Sequence, residues 1–186
     1  MGKNVCVFLA DGFEEVEALT VVDILRRAGA MVTTVSVTED YTVRGAHGID
    51  VIADQVFSDT DFEYTDMLVL PGGMPGTLSL SEHEGLGELL AEFDQKNRYI
   101  AAICAAPSIL GKYGMLEGRK ATSHPSKEKE LPGAFVVREP VVTSGNIITS
   151  RGVGTAIEFS LELVKILFDS AEAEEISKAI VYLEDR

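Results

Sequence analysis

Short, continuous apolar runs alternate along this chain with longer amphipathic stretches, and this alternation constrains the fold more than any other feature. The runs at residues 5–9, 67–70 and 99–103 favour β structure throughout, which is typical of strands covered on both faces. Residues 14–27 and 81–95 carry apolar side chains at helical spacing. Strands that alternate with helices form βαβ units around a parallel sheet. The pattern therefore predicts a doubly wound α/β sandwich with a mostly parallel central sheet.

The remaining segments extend the same pattern. Further strands are predicted at residues 31–37, 51–53, 121–122, 134–137 and 147–149, and further helices at 107–113, 152–168 and 171–182. No linker or shift in composition divides the sequence. At roughly 150 residues per domain, we expect a single domain that spans residues 1–186.

The balance of charge argues against two classes of partner. Thirty acidic residues against sixteen lysines and arginines give a formal net charge of −14. Such a charge repels phosphate backbones and anionic lipids, so we expect neither a nucleic-acid partner nor a membrane partner. The apolar run at residues 5–10 is shorter than the core of a signal peptide. We expect a cytoplasmic protein whose two cysteines stay reduced.

Several common ligand motifs are not satisfied by the sequence. His47, His83 and His124 do not fall at zinc-ligand spacing. Ile157 occupies the third small position of a dinucleotide-binding motif that would begin at residue 152. Tyr113 stands where a phosphate-binding loop needs a serine or threonine. We therefore expect no metal and no organic cofactor.

The strongest candidate for chemistry is Cys104, which follows the strand predicted at residues 99–103. Ala102 and Ala106 lie two residues before and after it, as a crowded nucleophile elbow requires. A cysteine at a helix N-terminus is also expected to have a lowered pKa. The alternative is an inert, buried cysteine. Cys6, in the middle of a strand, is predicted to be a core residue.

Three glutamates stand near the start of the first helix, on a loop that should meet Cys104 at the carboxyl edge of the sheet. Glu14, Glu15 and Glu17 all suit the positive end of a helix. At least one should face the cysteine, where a protonated carboxyl can hydrogen-bond sulfur and act as an acid or base. The spacing alone does not choose among them.

Two loops supply the other candidates. The N–H groups of Gly72 and Gly73 could form an oxyanion hole with that of Ala105, or residues 71–73 could be a simple turn. His124 precedes a proline, which favours an extended loop and, by itself, a surface position. His47 and His83 are interpreted as surface residues.

Five segments occur in an order that resembles a known family. They are the segments at residues 10–17, 69–73, 101–107, 122–125 and 149–155. Together they are similar to the ThiJ/PfpI superfamily, and within it to the parkinsonism-associated deglycase branch that includes YajL-like bacterial proteins. The resemblance covers essentially the whole chain and implies a flavodoxin-like sheet and a homodimer formed partly through the first helix.

The resemblance also implies roles for individual residues. Cys104 matches an oxidisable nucleophilic cysteine, and Glu17, rather than Glu14 or Glu15, matches the protonated glutamate that bonds its sulfur. The other matched residues are the backbone donors Gly73 and Ala105, the assisting histidine His124, and Arg151 in a loop that lines the pocket. Ala105 stands where protease-like members have a histidine, so a Cys-His protease dyad is not expected.

Two functions are compatible with these residues. The first is a cofactor-independent glyoxalase III or protein deglycase, in which the Cys104 thiolate attacks methylglyoxal, related dicarbonyls or their early adducts on protein side chains. The alternative is a non-enzymatic stress protein, an oxidation sensor or redox-regulated chaperone, in which Cys104 becomes a sulfinate. Both depend on the same sulfur and the same acid.

Overall fold

A seven-stranded sheet forms the centre of the molecule in the computed structural model, which describes residues 2–182. Eleven strands occur among these residues: β1 (Asn4–Leu9), β2 (Met31–Ser36), β3 (Thr42–Arg44), β4 (Asp50–Ile52), β5 (Gln55–Val56), β6 (Met67–Leu70), β7 (Tyr99–Ile103), β8 (Lys120–Ala121), β9 (Phe135–Val136), β10 (Val141–Ser144) and β11 (Ile147–Ser150).

The order of the strands shows a doubly wound topology. The sheet runs β10-β11-β7-β6-β1-β2-β5, and every neighbouring pair is parallel except β10 with β11. The chain thus begins at the centre and winds outward to both edges. The predicted mostly parallel α/β sandwich is confirmed. Two small sheets, β3 with β4 and β8 with β9, lie apart from it.

Six α-helices accompany these strands in the described part of the chain. They are α1 (Glu15–Arg27), α2 (Gly76–Glu82), α3 (Glu84–Gln95), α4 (Pro107–Lys112), α5 (Ala156–Leu167) and α6 (Ser170–Ala179). Short 3-10 helices occur at Phe57–Asp59, Pro125–Glu130 and Val153–Thr155. No helix within residues 2–182 is both long and apolar enough to cross a membrane.

The strand β1 contributes side chains to the hydrophobic cores on both faces of the sheet. Its alternate residues Val5, Val7 and Leu9 join the core on the side of α1 and α5, while Cys6 and Phe8 join the core on the side of α3 and α4. Because successive side chains in a strand point to opposite faces, a continuous apolar run is required here. Cys6 is a core residue, as predicted, and its sulfur lies 3.5 Å from the Thr65 hydroxyl.

The predicted helix at residues 81–95 is wrong in one respect, because the structure contains two helices joined at His83. His83 has an extended backbone, and its Nδ1 accepts a hydrogen bond of 3.0 Å from the N–H of Leu86, which caps α3. Its ring also contacts that of Phe57 at 4.4 Å between centroids. His83 is therefore a half-buried cap and not the surface residue predicted.

Two other predicted elements differ from the structure. The last long helix was expected from residue 152, but α5 begins at Ala156, because the Thr155 hydroxyl accepts from the N–H of Gly152 and holds a 3-10 turn there. The short strand predicted at 51–53 is β4, which pairs with β3 in a hairpin outside the main sheet. This hairpin proves important for the site.

Candidate active site

Cys104 lies at a strained turn where β7 ends. Its backbone φ is 64°, in the left-handed region that non-glycine residues rarely adopt. Neighbouring strands and loops hold the turn, since its N–H donates to the Ser150 carbonyl at 3.0 Å and its own carbonyl accepts from the His124 N–H at 2.8 Å. Ala102 and Ala106 are fully buried. The nucleophile elbow predicted from small flanking residues is thus present, and Cys104 is only half-buried.

Glu17 is fully buried on the first turn of α1 and faces this elbow. One carboxylate oxygen, Oε2, accepts a 2.8 Å hydrogen bond from the N–H of Gly72. The other, Oε1, has no hydrogen-bond partner of ordinary geometry in the described structure. Burying a carboxylate oxygen without a hydrogen-bond partner costs folding free energy. This oxygen is therefore a candidate to accept a proton or to bind a ligand in the pocket.

The pocket is the space beside Gly152. A methyl group built on Gly152 would lie 3.8 Å from the Cys104 sulfur, 3.8 Å from Glu17 Oε1 and 3.9 Å from His124 Cδ2. These three side chains therefore border one common volume. A side chain at residue 152 would fill part of it.

Gly72 and Gly73 let the loop after β6 approach both side chains. A Cβ on Gly72 would lie 2.6 Å from Glu17 Oε2 and 2.7 Å from the Cβ of Cys104, which is too close for any other residue. Gly73 has a φ of 95° and is crowded by the backbone of residues 12–14. These glycines thus allow the loop to lie directly against Glu17 and Cys104, and the loop is not a simple turn.

Burial sets the proton affinity of the pair. It raises the pKa of Glu17 to about 7, although the nearby Cys104 thiol and the hydrogen bond from the Gly72 N–H oppose the rise. Burial, followed by the charge and proximity of Glu17, raises the pKa of Cys104 to about 12, against the N–H groups of Ala105 and Gly73. Above about pH 7 the pair therefore holds one proton, which lies on the Cys104 sulfur beside an ionised Glu17.

This result corrects the expectation that the helix lowers the pKa of the cysteine. The helix α4 contains only six residues, and burial together with the neighbouring carboxylate outweighs its dipole. Two of the causes that raise the pKa of Cys104 come from ionised Glu17. Both disappear when the proton lies on the Glu17 carboxyl, but burial remains, so the thiol is the resting form and loses its proton to Glu17 only as the sulfur reacts.

The backbone donors divide between the two side chains. The N–H groups of Gly73 and Ala105 face the Cys104 sulfur, where we expected them. The N–H of Gly72 is used by Glu17 and is not available to a substrate oxygen. Gly72 therefore forms the pocket wall, while Gly73 and Ala105 remain the candidates for an oxyanion hole.

His124 and Arg151 lie at the border of the site. The Nδ1 of His124 accepts from the N–H of Ser126 at 3.3 Å, which places the proton of a neutral ring on Nε2. The guanidinium of Arg151 donates to the Arg138 carbonyl at 3.3 Å and lies 3.7 Å from Glu128. Arg151 is thus fixed to the neighbouring loop, and its role as a pocket residue stays a prediction.

A second contact of α1 was missed by sequence reasoning. Glu15 is buried and accepts hydrogen bonds from the backbone N–H of His47 at 2.7 Å and from its ring at 2.8 Å. His47, predicted to be an isolated surface residue, holds the β3–β4 hairpin against the start of α1. The two residues are 32 positions apart, and no local motif connects them.

Glu14, Glu15 and His47 are also the group of possible metal ligands found among residues 2–182, with donor atoms within 4.8 Å of one another. Both oxygens of Glu15 are already engaged by donors of His47. Hydrogen bonding accounts for this cluster.

Comparison with known proteins decides the family. The model of the DJ-1/PfpI family matches residues 3–166. The chain belongs to the DJ-1/PfpI family. This finding agrees with the resemblance carried by the five segments.

Relatives of this DJ-1/PfpI protein cover nearly all of it. Protein DJ-1 homolog A of Arabidopsis thaliana is 41% identical over 182 residues, which are 96% of this chain and 46% of the relative. The chain thus spans less than half the length of that relative. Glutathione-independent glyoxalase DJR-1.2 of Caenorhabditis elegans is 34% identical over 155 residues, which are 83% of this chain and 82% of the relative.

A solved structure confirms the flavodoxin-like fold. Oxidized DJ-1 of Toxoplasma gondii superposes with a TM-score of 0.94 at 35% identity, and the match covers 98% of this chain and 100% of that one.

Proposed function

We propose that this DJ-1/PfpI protein is a cofactor-independent glyoxalase III or deglycase that acts on methylglyoxal, related dicarbonyls or their early adducts on protein side chains. The observation that carries the proposal is the unpartnered oxygen of buried Glu17, which borders the same small pocket as the Cys104 sulfur. The name of the glyoxalase from Caenorhabditis elegans supports the same class of reaction.

The first step moves the proton of the Cys104 sulfur. As the Cys104 sulfur adds to the aldehyde carbon of methylglyoxal, its proton passes to the Glu17 carboxylate, and the aldehyde oxygen becomes an oxyanion. The N–H groups of Gly73 and Ala105 are in place to stabilise that charge. Glu17 then returns that proton to the oxyanion, which gives a hemithioacetal and leaves Glu17 ionised.

The second step moves a proton between carbons. Glu17 removes the hydrogen of the former aldehyde carbon and returns a proton to the neighbouring carbon, while the hydroxyl proton of the hemithioacetal passes to the ketone oxygen. The first carbon is thus oxidised to a thioester and the ketone is reduced to an alcohol. Water then cleaves the thioester, lactate leaves, and the sulfur regains its proton. The redox change is internal to the substrate, and no other oxidant or reductant is consumed.

A lactate assay tests the proposal. Lactate release from methylglyoxal should disappear in Cys104→Ser and persist in Cys6→Ser, since Cys6 is packed in the core. Release by Cys104→Ser at the rate of the unmodified protein would refute the proposal.

Oxidation of Cys104 is the second candidate function. The sulfur is half-buried and borders the space beside Gly152, and the structural relative from Toxoplasma gondii is described as oxidized. Mild peroxide should add two oxygen atoms to Cys104 and change the protection of client proteins. Equal oxidation in Glu17→Gln would argue against a sensor that depends on this carboxyl.

We also propose that the protein forms a homodimer. Part of the apolar stripe of α1 is not covered, because Val16 is 46% and Leu19 is 37% exposed, and Ile157 of α5 is exposed beside it. Apolar surface of this kind favours a second copy of the chain. Light scattering after size exclusion should give twice the 20.1 kDa mass of the chain, and Leu19→Lys should shift it toward one copy.

A further inference from the structure

A cleft lined by lysines interrupts the otherwise acidic surface of this protein. It has a volume of about 400 Å³ and lies among α2, α4 and the 3-10 helix Pro125–Glu130. Lys112, Lys127 and Lys129 line it, and these are three of the eight lysines in a chain with net charge −14. The reaction proposed for Cys104 uses none of them.

One carboxylate faces the three positive charges within the cleft. Glu130 is the acidic residue that lines it, and its half-exposed carboxylate accepts from Lys127 at 2.8 and 3.0 Å. Lys112 donates to the Ser81 carbonyl and hydroxyl. Lys129 makes no ion pair or hydrogen bond with any residue in the range 2–182. Like charges gathered around one concave surface attract a multivalent anion.

The rest of the lining suits an organic anion better than a bare ion. The Ser81 hydroxyl accepts from Lys112, so its own proton is free to donate to a ligand oxygen. Leu78, which is 48% exposed, and Pro132 offer apolar contact for a carbon skeleton. The volume falls in the range of small-molecule pockets and exceeds what one phosphate group needs.

We propose that this cleft is a binding site for a small molecule that carries a phosphate or diphosphate group. The ammonium groups of Lys127 and Lys129 bind the phosphate oxygens, Lys112 and Ser81 complete the ring of donors, and Leu78 contacts the organic part. This site goes beyond the proposed function and is separate from the Cys104 pocket, so either proposal can fail without the other.

Calorimetric titration with inorganic pyrophosphate at fixed ionic strength tests the site. The full chain is compared with the double variant Lys127→Gln/Lys129→Gln. The matched control is Lys165→Gln/Lys178→Gln, whose lysines are paired with Glu162 and Glu174 on α5 and α6. Each double variant removes two positive charges and takes the net charge from −14 to −16. A long-range charge effect therefore acts equally on both.

We expect saturable binding to the unmodified chain. The dissociation constant should be at least about tenfold higher in the cleft variant, because the loss of one charged hydrogen bond weakens binding by about that factor. The control pair should change the constant by less than a factor of about two. Cys104→Ser should leave it unchanged. Equal weakening in both double variants, or no saturable binding to the unmodified chain, would overturn the proposal.

Discussion

Glu15 and Glu17 are two positions apart on α1, and both are buried, yet the protein treats them in opposite ways. Burial alone would raise the pKa of each carboxyl. At Glu15 this effect is outweighed by hydrogen bonds from His47 and from backbone N–H groups, and the pKa falls to about 2. At Glu17 burial prevails, and the pKa rises to about 7.

The difference lies in what each carboxyl faces. Glu15 faces the β3–β4 hairpin, whose donors occupy both of its oxygens, so it is a permanent anion with a structural task. Glu17 faces Cys104 and keeps one oxygen free, so it is able to take and release a proton near neutral pH. Burial by itself therefore does not make a carboxyl reactive. Glu17 is able to react because one of its oxygens lacks a hydrogen-bond donor.

The largest expected effect is on activity. Glu17→Gln should reduce lactate release by about a hundredfold or more, because an amide cannot take the proton from the Cys104 sulfur. Glu15→Gln is the matched control, with the same change on the same helix turn, and should retain most of the activity. Equal losses in both variants would remove the distinction between the two carboxyls.

Stability should respond in the reverse order. Glu15→Gln should cost about 1 to 2 kcal/mol of unfolding free energy, because the buried carboxylate loses charged hydrogen bonds from His47, whose ring is itself exposed to water. Glu17→Gln should cost under about 1 kcal/mol, since its amide oxygen still accepts from Gly72 and no charge is buried. Urea unfolding of both variants measures the two losses of unfolding free energy. A larger loss in Glu17→Gln would contradict the structural role given to Glu15.

The pH dependence of stability should have opposite signs at the two sites. Glu17 binds its proton more tightly when folded, so its contribution is complete below its ordinary value of 4.5 and is lost as the pH rises through about 7. Glu15 contributes above 4.5, and this contribution is lost as the pH falls toward about 2. Unfolding each glutamine variant beside the unmodified protein over this range should show the two slopes. Slopes of equal sign would be inconsistent with the donors described.

His124 should give the smallest effect. Only its Cδ2 edge faces the space beside Gly152, while Nδ1 is bonded to Ser126. We expect His124→Gln to reduce lactate release by less than about tenfold, well below the loss in Glu17→Gln. A loss as large as that of Glu17→Gln would make His124 an obligatory proton carrier.

Local patterns were sufficient for the sheet and the elbow. Continuous apolar runs predicted β1, β6 and β7, and the small residues beside Cys104 predicted its turn, because these features depend on neighbours in sequence. The break at His83 was not predictable from periodicity, since a side-chain cap overrides a continuous helical pattern.

The chemistry of the glutamates depended on contacts between distant segments. The hydrogen bond from His47 to Glu15 and the contact of Gly72 with Glu17 cannot be predicted from the spacing of nearby residues in the sequence. The raised pKa of Cys104 likewise results from burial and from a carboxylate 87 positions away in the chain, which the helix dipole argument does not include.

The central claim is that ionised Glu17 takes the proton of the Cys104 sulfur as the sulfur reacts, and the alkylation rate of Cys104 measures it most directly. With iodoacetamide as the probe and peptide mass spectrometry to separate Cys104 from Cys6, the rate should rise with a midpoint near pH 7, where Glu17 ionises and becomes able to take the proton of the sulfur. In Glu17→Gln that midpoint should be lost and the rate should rise only at higher pH, because burial still raises the pKa of Cys104. The same midpoint in both proteins would show that the sulfur titrates alone and would contradict the account.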